Sequence, residues 1–297
     1  MRISIIPRLA KPRLAVAGAS LAIAGTLLGA GLAGTATAAT HPGTAASRPG
    51  VPGGDSAAPK PTIVLVHGAW ADGSSWNSVV QDLQSSGYTV DVPPNPLRGV
   101  ANDGAYLSDF LSTISGPIVL VGHSYGGFVI TQAATGNAQV KALVYDDAFI
   151  PASGDTPLSL SSAKPGSCLA DPSTALNFVP YPGSPAGDAD LYVKQSVFPG
   201  CFANGLPARE GAALAAEQEP LAASALSESL TTAPAWQTIP SWAIIGTQDH
   251  VIPPAELLAM AQRAGARVTE INAPHLSMIS DPGAVTRVIL KAAHAAG

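Results

Sequence analysis

The 297-residue chain is 46% hydrophobic and only 12% charged, with a formal net charge of −5. That apolar content supports a substantial buried core and excludes a disordered or fibrous chain over most of the length. Thirty glycines and 27 prolines are too many for a helical bundle, no fixed repeat marks a solenoid or propeller, and one loop-rich globular unit fits best.

Residues 1–38 predict an export signal. Arg2, Arg8, Lys11 and Arg13 precede an uncharged Ala/Gly/Leu run from Leu14 to about Gly34, and Ala36-Thr37-Ala38 offers a small-residue cleavage site. The run is longer than the usual ~7–15 residues of a signal core, which leaves a retained membrane anchor as the alternative. Its Ala and Gly content and the site behind it favour cleavage after Ala38, giving a secreted protein without stable membrane association. No cysteine near that point marks a lipoprotein, and Arg8 and Arg13 are not adjacent as a twin-arginine signal requires. Residues 39–60, rich in Ala, Gly, Pro, Ser and Thr, predict a flexible leader. The chain beyond residue 38 holds 11 basic and 20 acidic side chains, a charge of −9 (11 − 20), which argues against nucleic acid and anionic membranes as partners.

From Pro61 the pattern alternates. Thr62–Val66 (TIVLV) and Ile118–Val121 (IVLV) are short, apolar, β-branched runs that predict strands buried on both faces. Lys141–Tyr145 (KALVY) and Ser241–Ile245 (SWAII) repeat the pattern, and Arg267–Ile271 (RVTEI) is more polar and belongs toward an edge. Helices are predicted over 75–86, 103–114, 125–134, 255–264 and from Pro282 to the C-terminal region. The alternation implies an α/β protein with a mostly parallel central sheet and helices on both faces, its core formed by residues 61–150 and 241–297. Residues 151–240, rich in Pro, Gly and Ser, break the rhythm and predict an inserted cap with short helices, Ala208–Leu230 being its most helical part. Cys168 and Cys201 both lie there. Export favours their pairing, which would stabilise the fold by roughly 3–4 kcal/mol. Two buried free thiols are the alternative; neither has the spacing of a zinc site, and no metal is expected.

Gly122-His123-Ser124-Tyr125-Gly126 lies between a predicted strand and a predicted helix, the context in which a G-x-S-x-G turn exposes a nucleophilic serine. Glycines flank the serine because a Cβ there would meet neighbouring backbone. A serine hydroxyl is a weak nucleophile near neutral pH and needs a base, itself oriented by a third group. Of six histidines, His41 is in the leader, His294 in the tail, His67 and His123 inside other motifs, and His250 beside the candidate acid. His275, after the last predicted strand, is left as the base. Asp249, just past the Ser241–Ile245 strand, is the candidate acid; Asp146 and Asp147 are its rivals, otherwise pocket-rim or loop-fixing residues. An oxyanion formed at the substrate carbonyl needs two backbone donors. Tyr125 supplies one, and the His67-Gly68-Ala69-Trp70 loop the other, from Ala69 in preference to Trp70. Trp70 is also the candidate pocket-lining residue for substrate.

Together HGAWADGSSW (67–76), GHSYGG (122–127), GTQDHVIPP (246–254) and APHLSMIS (273–280) resemble the α/β-hydrolase superfamily, in particular small bacterial esterases akin to plant methyl-salicylate esterases and hydroxynitrile lyases. The resemblance extends from Pro61 to the C-terminus and is weakest across 151–240. It implies the α/β-hydrolase fold, Ser124, Asp249 and His275 as triad, and cofactor-free hydrolysis of a small-molecule carboxylic ester through an acyl-enzyme. Hydroxynitrile lyases of this group carry Thr where Ala69 stands, which weakens the lyase alternative. Lactonase, thioesterase and perhydrolase activities use the same triad, and a non-catalytic binding protein of this fold is the alternative of another class.

Overall fold

The computed structural model describes residues 59–297, so the predicted signal and residues 39–58 of the predicted leader lie outside the described residues. The chain opens with strand β1 (Thr62–Val66), a 3-10 turn (Gly73–Trp76) and helix α1 (Asn77–Ser85). Asp72 caps the turn by accepting from Ser74 N, as short polar side chains do at helix starts. There follow β2 (Val90–Asp91), α2 (Val100–Leu111), β3 (Ile118–His123), α3 (Gly126–Ala133) and β4 (Val140–Asp146). Helix α2 starts three residues before the expected 103. Gly99, at φ +146°, makes the entry, and the Asp103 carboxylate folds back to accept from Arg98 N and Gly99 N, so Asp103 anchors the first turn from inside it.

Between β4 and the next core strand lie α4 (Pro157–Ser161), α5 (Pro172–Ala175), β5 (Leu176–Val179), β6 (Asp190–Val193), α6 (Phe198–Cys201), α7 (Ala208–Glu217) and β7 (Leu221–Ala222). The antiparallel sheet β5-β6-β7 within this insert was not expected from sequence. The helix expected over 208–230 stops at Glu217, because Pro220 has no N–H and disfavours helical backbone at the residue before it. A disulfide joins Cys168 to Cys201, with Cα atoms 5.7 Å apart.

The chain returns to the core through β8 (Ser241–Gly246), α8 (Pro254–Arg263), β9 (Arg267–Ile271), α9 (Ser277–Ser280) and α10 (Pro282–Ala296). The six core strands pair parallel in the order β2-β1-β3-β4-β8-β9. Every residue of β3 and β8 is buried, as strands covered on both faces require, whereas β9 is largely exposed at the edge. Helix α10 packs on β3, β4, β8 and α1, while α3 packs on β1, β3, β4 and α2. The register aligns the strand ends: Val66 lies opposite Gly122, His123 opposite Asp146, and Gly246 opposite Ile271. The loops leaving these C-terminal ends therefore converge on one edge of the sheet.

Candidate active site

Strand β3 turns into α3 at Ser124, whose φ of +52° is a costly conformation for a residue with a side chain. The glycines make room for it. A Cβ on Gly122 would lie 2.7 Å from the Gly126 carbonyl oxygen, and one on Gly126 2.8 Å from that of Val66. The Ser124 carbonyl accepts from Gly127 N at 3.0 Å and Phe149 N at 3.2 Å, which pins the turn.

Ser124, His275 and Asp249 are brought together in one hydrogen-bonded chain: His275 Nε2 lies 3.1 Å from Ser124 Oγ and Nδ1 lies 2.8 Å from Asp249 Oδ2. All three are buried. Asp249 Oδ1 accepts from Val251 N at 2.7 Å and Ile252 N at 3.0 Å, which aims Oδ2 at the imidazole. With a carboxylate facing Nδ1, that nitrogen holds the ring proton, and the Nε2 lone pair faces the serine hydroxyl. Neither rival aspartate reaches His275. Asp146 accepts from Ser277 Oγ and Asp147 from Gly246 N.

His123 joins this arrangement without any signal in the sequence beyond its place in the GHSYG motif. Its Nε2–H donates to the His275 carbonyl at 2.9 Å, and the two rings lie 4.7 Å apart. Complete burial, with His275 alongside, holds His123 well below the usual histidine range, so it is a neutral donor fixing His275 from behind.

At the candidate oxyanion site, Trp70 N–H is taken by the Glu219 carbonyl at 3.0 Å. Among the described residues, no acceptor pairs with the amides of Ala69 or Tyr125. The Ala69 loop is fixed by His67, whose Nδ1–H donates to the Gly68 carbonyl at 3.0 Å while Nε2 accepts from Asn95 N at 3.1 Å. Accepting at Nε2 requires neutral imidazole, consistent with the burial that lowers its pKa. The Asn95 side chain closes the clamp by donating to the His67 carbonyl. On the other side, Tyr125 donates its hydroxyl to Asp103 at 2.9 Å, tying the residue after Ser124 to α2. Trp70 has φ +58° and donates its indole N–H to the Leu191 carbonyl at 2.7 Å, so the insert grips it twice.

Above Ser124 is a cavity of about 70 Å³. Ala69, Trp70 and Tyr125 line it together with Leu158, Leu169 and Leu221 of the insert; among the described residues no charged side chain does. Among the described residues, no three His, Cys, Asp or Glu side chains are grouped to hold a metal ion.

A serine held at a strained strand-to-helix turn, bonded to a histidine and an aspartate from later loops of one parallel sheet, places the protein among the α/β proteins with a serine hydrolase-like constellation. The profile of the alpha/beta hydrolase family matches residues 63–288, and the chain belongs to that family. It is 34% identical over 111 residues to a carbendazim hydrolyzing esterase of Nocardioides sp. (strain SG-4G), covering 33% of this chain and 46% of that protein. It is 35% identical over 109 residues to a pyrethroid hydrolase of Sphingobium wenxiniae, covering 32% of this chain and 38% of that one. The chain thus spans less than half the length of these curated relatives. An extracellular α/β-hydrolase from a Paenibacillus species superposes with a TM-score of 0.63 at 23% identity, over 78% of this chain and 98% of that one, a likeness of fold.

Proposed function

We propose that this protein is a secreted serine esterase that cleaves small, uncharged carboxylic esters through an acyl-enzyme. The observation that carries this reading is the Ser124–His275–Asp249 hydrogen-bonded chain beneath an apolar cavity, with two unpaired amides beside it. Ser124 Oγ attacks the ester carbonyl while His275 Nε2 takes its proton, and Asp249 stabilises the imidazolium that results. The Ala69 and Tyr125 amides receive the oxyanion, each such donor contributing on the order of 3 kcal/mol. His275 returns the proton to the leaving alcohol, then activates the water that releases the acid. The esterase and hydrolase names of the two partly matching relatives support this class of reaction. The uncharged cavity favours esters without a formal charge near the scissile bond. Residues 151–240 serve as a cap. Export by residues 1–38 accords with the Cys168–Cys201 disulfide, a bond that persists in oxidising compartments.

The test is hydrolysis of a p-nitrophenyl ester series, acetate to palmitate, by wild type and Ser124→Ala. The short esters should turn over fastest, and the variant should lose about 10⁶-fold in kcat while keeping its circular dichroism. A folded wild type that reacts with a phosphonate probe yet cleaves no ester would sink the esterase reading and leave the nucleophile standing.

A further inference from the structure

Asp146 ends β4, Asp147 follows it, Asp249 follows β8, and all three carboxyl groups are buried, at 0%, 0% and 3% exposure. Among the described residues, no lysine or arginine forms an ion pair with any of them. Their hydrogen bonding is unequal. Asp249 is met by two backbone amides and His275 Nδ1. Among the described residues, Asp146 Oδ1 accepts a single bond, from Ser277 Oγ at 2.8 Å, and Asp147 Oδ1 a single bond, from Gly246 N at 2.5 Å. The Oδ2 atoms of both are buried without a hydrogen-bond partner. A dry, unpaired carboxylate oxygen is costly when charged and much less so when protonated.

The two bonds they do make go to the segments that carry the candidate triad. Ser277 lies two residues after His275, and Gly246 three before Asp249. Asp147 is itself fixed at φ +44°, with its N–H on the Ile244 carbonyl at 3.0 Å. There is little slack: a Cβ on Gly246 would lie 2.6 Å from the Ala273 carbonyl oxygen and 3.0 Å from Asp147 Oδ1.

We infer that Asp146 and Asp147 are positioning residues, a buried carboxyl pair that keeps a proton at neutral pH and braces the segments bearing Asp249 and His275 without competing for the imidazole. The inference rests on the triad reading above. The groups facing the pair are Asp249 from the loop after β8, Ser277 from the segment after β9, and His123, opposite Asp146 in register on β3. His123 is neutral, so it offers no counter-charge. Burial, and then the neighbouring carboxylates, raise Asp147 well above its ordinary range. Burial raises Asp146 to about 7, against the pull of the Ser277 bond and with Asp249 adding to the rise. A second negative charge beside Asp249 would repel it where no lysine or arginine offsets the charge.

The sign of the pH effect follows. A carboxyl whose folded pKa is raised stabilises the fold fully below its unfolded pKa near 4, and that stability is lost as pH rises to about 7. The full chain is compared with Asp146→Asn, Asp147→Asn and the corresponding Ala variants. Wild-type Tm should fall between pH 4.5 and 7, more steeply than in Asp146→Asn, and the wild-type infrared spectrum at pH 6 should hold a protonated-carboxyl C=O band that the Asn variants reduce. Ala should lower kcat about 10-fold through loss of position, and Asn, which copies the protonated acid, should recover most of it. The inference is overturned by equal Tm slopes with no such band, or by folded Asn variants that lose more than 100-fold at pH 7. If wild type cleaves no ester, the infrared and Tm results still judge the proton, and the failure belongs to the esterase reading.

Discussion

The parallel sheet and the insert between β4 and β8 serve the candidate site by different means. The sheet supplies the candidate triad: the aligned strand ends deliver Ser124, Asp249 and His275 to one edge, each from a turn only a few residues long. The insert supplies none of them, yet it touches the loops that carry Asp249 and His275 and the loop that carries Ala69. Glu219 and Leu191 carbonyls hold Trp70 beside Ala69; Cys168 N donates to the His250 carbonyl at 2.8 Å and Asn204 Nδ2 to that of Gln248 at 2.8 Å, on either side of Asp249. Phe202 sets its ring edge-on to both His275, at 5.0 Å, and Trp70, at 5.9 Å. The difference separates two tasks, chemistry from the sheet and alignment from the insert. If it holds, sheet substitutions abolish turnover and insert substitutions grade it.

Asp249→Asn is the sharpest cut on the sheet side. An amide can offer N–H to His275 and leave the wrong nitrogen protonated, so kcat on a p-nitrophenyl ester should fall about 10⁴-fold at pH 7 with little change in Tm. A loss of only a few-fold would move the acid role away from the sheet loop after β8.

How far each region is legible in the sequence follows the same division. Thr62–Val66 and Ile118–Val121 are short apolar, β-branched runs, and Ser124 announces itself because its turn tolerates only glycine at 122 and 126. Local chemistry of that kind is written in adjacent residues. The choice of Asp249 over Asp147 depended on chain order, whereas the structure settles their positions through hydrogen bonds across 26 and 99 residues. The His67–Asn95 and His123–His275 clamps span 28 and 152 residues and left no local trace. In the insert, LNFV, DLYV and LA are too short to display a two-residue period, so β5-β6-β7 was invisible. The early end of α7 was visible in Pro220, and composition outweighed it.

Replacing both Cys168 and Cys201 with serine tests the insert as a unit. Opening a loop of 33 residues should cost about 3–4 kcal/mol, read as a lower Tm. Because Cys168 N bonds to His250 and Cys201 precedes Phe202, kcat of the folded variant should also fall, about 10-fold, at temperatures well below its Tm. A lower Tm with unchanged kcat would make the disulfide a stabiliser alone and leave alignment to other contacts of the insert.

The finest test is Trp70→Phe. Phenylalanine keeps an aromatic wall on the cavity but cannot donate to the Leu191 carbonyl, a buried bond whose loss typically costs about 1–3 kcal/mol when the partner is stranded. If that bond holds the Ala69 amide in line with the developing oxyanion, the cost falls on the transition state, and kcat for p-nitrophenyl acetate should drop about 10-fold with KM nearly constant. If Trp70 is only the substrate-lining residue expected from sequence, KM rises and kcat stays. Trp70 is a loop residue of the sheet whose backbone and side-chain donors both end on the insert, so the split between kcat and KM there decides whether the insert aligns the chemistry or only encloses it.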